Sequence, residues 1–215
     1  MAIQTQGTTG NVMEVDTSFK SARVSIRPPE SLAWLSVGAQ SGAVTGIAAN
    51  GPVFSFRNIS ANPILVRRVG IGFVTTTGFT AAQAVDFGLM FARAFTASDT
   101  GGTAIALTGS NTKHRTSMGA LTSVDCRIAT TGALTAGTRT LDTNTLAQQG
   151  GYALAATAGT TIPVGQENLF QHTADDYPLV LAQNEGFIIQ NLTAMGAAGI
   201  GRLYVNMELA EATTY

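Results

Sequence analysis

The side chains able to do chemistry in this chain are few and scattered. There are two histidines, His114 and His172, and one cysteine, Cys126, beside Asp125. Neither histidine stands in the HxxxH or HExxH spacing that places metal ligands on one helix face. No GxSxG elbow presents a serine nucleophile, and no local motif around Cys126 suggests an activated thiolate, so a small buried thiol is the expected role. Asp175 and Asp176 precede Tyr177 and Pro178, a setting in which adjacent carboxylates cap a loop more readily than they hold a cation. Gly70-Ile-Gly72 and Gly196-Ala-Ala-Gly199-Ile-Gly201 precede no convincing helix that would receive a phosphate, and the longer one lacks GxGxxG order. Both read as turn or close-packing glycines. Asn58-Ile-Ser60 and Asn191-Leu-Thr193 match the N-glycosylation pattern, but Met1–Gly10 has neither the basic nor the apolar run of a secretory leader, so chance matches are expected. The residues therefore predict no catalytic centre, no metal site and no cofactor.

Two basic features remain. Arg67 and Arg68 fall inside a strand pattern, which predicts guanidinium groups on opposite faces and a partner carboxylate or carbonyl for Arg67 on the apolar one. Lys113, His114 and Arg115 follow Gly109-Ser-Asn111 and read as an exposed loop tip, solvated or in contact with an acidic neighbour.

The elements around these residues are written in alternation. Phe54 and Phe56 share a face, as do Leu65, Val69, Ile71 and Phe73, with Arg67 interrupting. Phe87, Leu89 and Phe91 repeat the pattern, and so do Leu203, Val205, Met207 and Leu209. Period 2 is the mark of half-buried antiparallel strands, and the predicted core is Leu65, Val69, Ile71, Phe73, Phe87, Leu89, Phe91, Leu203, Val205, Met207 and Leu209. Phe187-Ile-Ile189 is a continuous apolar run and is expected to be buried on both faces. Shorter strands are expected at 21–27, 103–108, 126–130 and 138–141, and a single helical turn at 30–35. Eight or more short strands with uneven loops predict an all-β, antiparallel sandwich of jelly-roll type spanning residues 21–215. Residues 1–20 show no sustained period and read as an extended N-terminal arm. Its scattered Ile3, Val12, Met13, Val15 and Phe19 are candidate partner contacts.

Composition narrows the function classes. Ala, Thr and Gly number 32, 30 and 24 among the 215 residues, a bias toward strands and turns. Charged residues make up only 12%, with a net charge of −1, which excludes the strong basic field of a nucleic-acid binder. No apolar run approaches the ~18 residues of a membrane span. One cysteine cannot form an intrachain disulfide, and synthesis in a reducing cytoplasm is expected. A surface of Thr, Ser, Asn, Gln and Ala is poorly protected against association and is tolerable where most of it ends inside an assembly.

Several stretches resemble virion proteins of tailed bacteriophages. They are Arg23-Val-Ser-Ile-Arg-Pro-Pro29, Phe87-Gly-Leu-Met-Phe-Ala-Arg-Ala-Phe-Thr-Ala-Ser-Asp-Thr-Gly-Gly-Thr103, Leu107-Thr-Gly-Ser-Asn-Thr-Lys-His-Arg-Thr116 and Tyr177-Pro-Leu-Val-Leu-Ala-Gln-Asn-Glu-Gly-Phe187, with Val205-Asn-Met-Glu-Leu-Ala-Glu211 similar in style. The resemblance implies a non-enzymatic jelly-roll decoration or cement protein on the capsid surface. Its implied partners are the major capsid protein and copies of itself, as a homotrimer, with no nucleic acid and no membrane. The implied site of synthesis is the host bacterial cytoplasm. The alternative is a head-fibre or tail-tip adhesin whose jelly roll binds a host glycan; few aromatic residues are left over to build such a site. The arm separates the two readings. Deleting residues 1–20 is expected to leave the β spectrum and cooperative melting intact while weakening trimer formation or binding to undecorated particles. A truncated chain that coats particles as well as the full one would reduce the arm to a frayed end.

Overall fold

The computed structural model describes residues 34–108, 112–121, 123–155, 167–172 and 178–212. The arm, the strand expected at 21–27, and Asp175 and Asp176 lie outside them. Twelve strands are described: β1 (Leu35–Gln40), β2 (Gly51–Asn58), β3 (Ile64–Thr77), β4 (Gln83–Phe95), β5 (Thr103–Ala104), β6 (Val124–Ile128), β7 (Arg139–Leu141), β8 (Ala147–Ala153), β9 (Glu167–Gln171), β10 (Leu179–Leu181), β11 (Gly186–Asn191) and β12 (Ile200–Glu211). No α-helix occurs among the described residues.

The strands form two antiparallel sheets. One runs β1-β12-β3, with β10 and β9 sharing the far edge of β3. The other runs β5-β6-β2-β11-β4, with β7 and β8 sharing the far edge of β4. Along the chain β1 to β4 alternate between the sheets, as do β10, β11 and β12. Two interlocked Greek keys give this order, the jelly roll that the alternation predicts, with β5 and β6 added beyond β2.

The inner faces pack one core. Phe54 and Phe56 of β2 stack on Phe187 of β11, with ring centroids 5.9 and 5.4 Å apart, and Phe73 of β3 meets Phe87 of β4 across the sheets at 5.3 Å. Every predicted core residue is buried. Leu65 is buried in a different place from the rest, on the outer side of the first sheet with Trp34, Ala210 and Ala212. The register explains this. Arg68 faces Glu208 and Val66 faces Leu209, so Arg67 is an extra residue, a bulge that reverses the face of everything before it. Val66, expected outside, therefore joins the main core.

The same device recurs in β4. Ala92 faces Leu141 and Ala94 faces Thr140, leaving Arg93 as the extra residue. Phe95 consequently joins Met90 and Ala92, which face outward by simple alternation, and Ile188 on the outer side of the second sheet. Ile188 lies outside while Phe187 and Ile189 lie inside, so this run is covered on both faces as its composition predicts.

The helical turn expected at 30–35 does not extend to its last residue, because Leu35 opens β1. No strand is predicted there from the sequence, and pairing with β12 brings Leu35 and Val37 into the core. Pairing with a partner distant in sequence overrides weak local propensity here. The expected strand at 103–108 shrinks to two residues, while β8, β9 and β10 carry no alternation clear enough to have been read. Truncating Phe91, which is 4% exposed in the core, is expected to cost about 3–5 kcal/mol in urea unfolding. A loss below about 1 kcal/mol would place its ring at the surface.

Candidate functional site

Of the candidate contacts, Ile3, Val12, Met13, Val15 and Phe19 lie outside the described residues. Lys113, His114 and Arg115 are described, and they are not a free loop tip. Lys113 forms an antiparallel bridge with Leu35, and the His114 N–H donates to the Trp34 carbonyl at 3.0 Å. Nε2 of His114 lies 2.5 Å from the Ser36 hydroxyl. Just after β5 the Ile105 N–H donates to the Cys126 carbonyl of β6 at 2.8 Å, and Leu107, Met118 and Leu121 enter the core. Residues 105–108 and 112–121 thus strap the edge of one sheet to the edge of the other. The buried leucines and methionine close that flank of the core beneath the exposed residues. His114 and Arg115 remain exposed on the strap, with Lys113 half-buried.

The two histidines stay apart. His114 sits at the β1 edge of its sheet and His172 beyond β3, where its N–H donates to the Arg67 carbonyl at 2.7 Å. His172 is buried, and its Nδ1 has no partner. Cys126 is buried on β6, and burial, reinforced by the charge of Asp125, pushes its thiol far above the ordinary range. Among the described residues no three His, Cys, Asp or Glu side chains gather as a metal set would.

Both strand arginines serve one carboxylate. Arg67 and Arg68 reach Glu208 at 3.4 and 3.1 Å, and Arg67 lies over the Trp34 ring at 5.7 Å. The bulge removes the alternation that would have set them on opposite faces. Arg93 repeats the arrangement, 3.8 Å over Phe91 and 2.8 Å from Asp142. The hydrogen bond between them raises the Arg93 guanidinium and holds the Asp142 carboxyl below its ordinary value, against partial desolvation.

The asparagines of both glycosylation-like triplets are buried and used internally. Asn58 donates to the carbonyls of Asn62 and Leu181, tying β2 to the start of the opposite sheet, and Asn191 donates to that of Ile47 at 3.1 Å. Gly201 and Gly199 are close-packing glycines as expected, since a Cβ on either would collide with the ring of Phe73 or Phe79.

Two arrangements escaped the sequence reading. The first is a lock beside Phe95. Asp99 is buried, pairs with Arg139 and accepts from the Gly137 N–H at 2.7 Å, while Arg57 reaches Asn184 Oδ1 at 2.7 Å and the Phe95 carbonyl at 3.2 Å. It pins the loop after β4 against the one before β7, where Thr100 and Thr135 exchange backbone hydrogen bonds.

The second is an open cleft of about 280 Å³ on the outer side of β4 and β8, lined by Asp86, Gln148, Gln149, Gly150 and Leu192. Asp86 Oδ2 accepts from the Thr193 hydroxyl at 2.9 Å. Along the same side of β8 lie Leu146, Tyr152 and Leu154, which are 48, 63 and 51% exposed. The clue in the sequence was faint: an Asp in the outward phase of β4, with a Gln-Gln-Gly-Gly run far downstream.

Comparison with known proteins returned no matching family model, no matching curated protein and no matching solved structure.

The buried thiol yields a direct test. Cys126 is expected to resist an aromatic disulfide reagent in the native protein and to react stoichiometrically once urea unfolds the chain. Fast labelling without unfolding would contradict its burial.

Proposed function

We infer that this chain is a non-enzymatic structural protein of a tailed-bacteriophage virion, a decoration or cement subunit on the capsid surface. It binds the major capsid protein and copies of itself, with a homotrimer as the assembly form. The resemblance supplies the virion setting, and a jelly roll is compatible with it, though that fold serves many functions.

The observation that carries the structural role is the edge strand β8. Among the described residues, its seven residues, Ala147-Gln-Gln-Gly-Gly-Tyr-Ala153, pair with β4 on one side only. Edge strands are normally protected by charge, proline or a covering element. β8 has no charge and no proline, and exposed leucines flank it at both ends. Such an edge is suited to being covered by a neighbouring subunit. The strap carrying Lys113, His114 and Arg115 offers a second, polar contact surface at the opposite flank.

Cryo-microscopy of intact particles, with antibody labelling of this protein, tests the assignment. Density fitted by the jelly roll on the head shell supports it; labelling confined to fibres or the tail tip, or absent from particles, overturns it. Light scattering on the free protein is expected to give three times the chain mass of 22.2 kDa. A stable monomer at micromolar concentration would remove the trimer in solution from the reading.

A further inference from the structure

We propose that the cleft on the outer side of β4 and β8 is a binding site for neutral, hydroxyl-rich saccharides. The inference does not depend on the virion reading. It starts from the register, which pairs Ala84 with Tyr152, Asp86 with Gly150 and Gly88 with Gln148. Val85, Phe87 and Leu89 point into the core, so Asp86 and Gly88 face outward beside Gln148, Gly150 and Tyr152.

Glycines at the floor let Asp86 and Leu192 settle directly onto the sheet. A Cβ on Gly150 would run into Asp86 Oδ1, and one on Gly88 would come within 2.9 Å of Leu192 Cδ2. Around that floor stand groups of three kinds. Asp86 is an acceptor held in place, with Oδ2 fixed by Thr193 and Oδ1 lying over the glycine. Gln148, on the same face as Asp86, offers an amide that both donates and accepts. Tyr152 lies two residues along the same face, roughly 7 Å from Gly150, and presents a flat ring 63% exposed.

This combination selects a ligand class. A carboxylate and an amide suit vicinal hydroxyls, and an exposed ring suits the C–H face of a pyranose. No Lys or Arg lines the cleft, and Asp86 has no ion pair among the described residues, so an anionic sugar would meet an uncompensated negative charge. One carboxylate is too few for a calcium site. A volume of about 280 Å³ lies near the lower end of ligand pockets, roughly 300–1,000 Å³, and accommodates one or two sugar rings with the chain running toward Tyr152.

Saturation-transfer NMR on the full chain tests the proposal with maltohexaose, cellohexaose and mannohexaose. Sialyllactose serves as the anionic comparator and spermidine as the cationic one. At least one neutral hexaose is expected to bind in the millimolar range, and neither comparator to do so. Asp86→Asn and Tyr152→Ala are each expected to weaken binding about fivefold or more, and Gly150→Ala, whose Cβ displaces the Asp86 carboxylate, to weaken it as well. Tyr152→Phe should retain binding, and thermal melts check that each variant is folded. The site is overturned if no hexaose binds up to about 10 mM, if Asp86→Asn and Tyr152→Ala leave binding unchanged, or if spermidine alone binds. It is also overturned if Tyr152→Ala abolishes self-association while no sugar signal is ever seen, which would make the patch a protein contact.

Discussion

Strand β11 has no side open to water. Its backbone pairs with β2 on one edge and β4 on the other, and its six residues are all buried. Phe187 and Ile189 fill the space between the sheets, while Ile188 is covered from outside. A strand in that position must be apolar at consecutive positions, and both its neighbours must supply side chains on two faces. The rest of the architecture follows from meeting that demand in a chain that carries little charge.

The two arginine bulges are how the long strands meet it. β3 has 14 residues and β4 has 13, and each supplies the inner core and, beside its bulge, also buries residues in an outer cluster. Strict alternation cannot change the face it buries; one extra residue can. In both strands that residue is an arginine that lies over an aromatic ring and pairs with a carboxylate. The guanidinium covers apolar surface with its flat face while its edge stays hydrogen-bonded, which lysine could not do as well.

Low charge density joins the fold to the proposed role. Among the described residues five arginines are engaged by carboxylates: Arg67 and Arg68 by Glu208, Arg93 by Asp142, Arg127 by Asp125 and Arg139 by Asp99. Strand β8 is left with no charge to repel a neighbour. A chain so composed is suited to an assembled state in which such edges are covered. Its outward face can still present the glycine-floored cleft, because edge pairing uses the backbone in the plane of the sheet.

Alternation at 69–73, 87–91 and 203–209 determined the inner core, because side-chain direction in a strand depends only on parity and needs no knowledge of the partner. The apolar run at 187–189 likewise determined that one strand is central, and Thr- and Gly-rich composition excluded a helical fold. Only the tertiary structure decided that Leu65 and Val66 exchange faces, since a bulge exists only relative to the opposing strand. Strand β1 and the strap over its edge are stabilised by partners far along the chain, so their own residues carried little signal. The cleft was hidden for the same reason. Asp86, Gly150 and Leu192 become neighbours through strand pairing, and spacing along the sequence holds no record of which edge a distant strand will join.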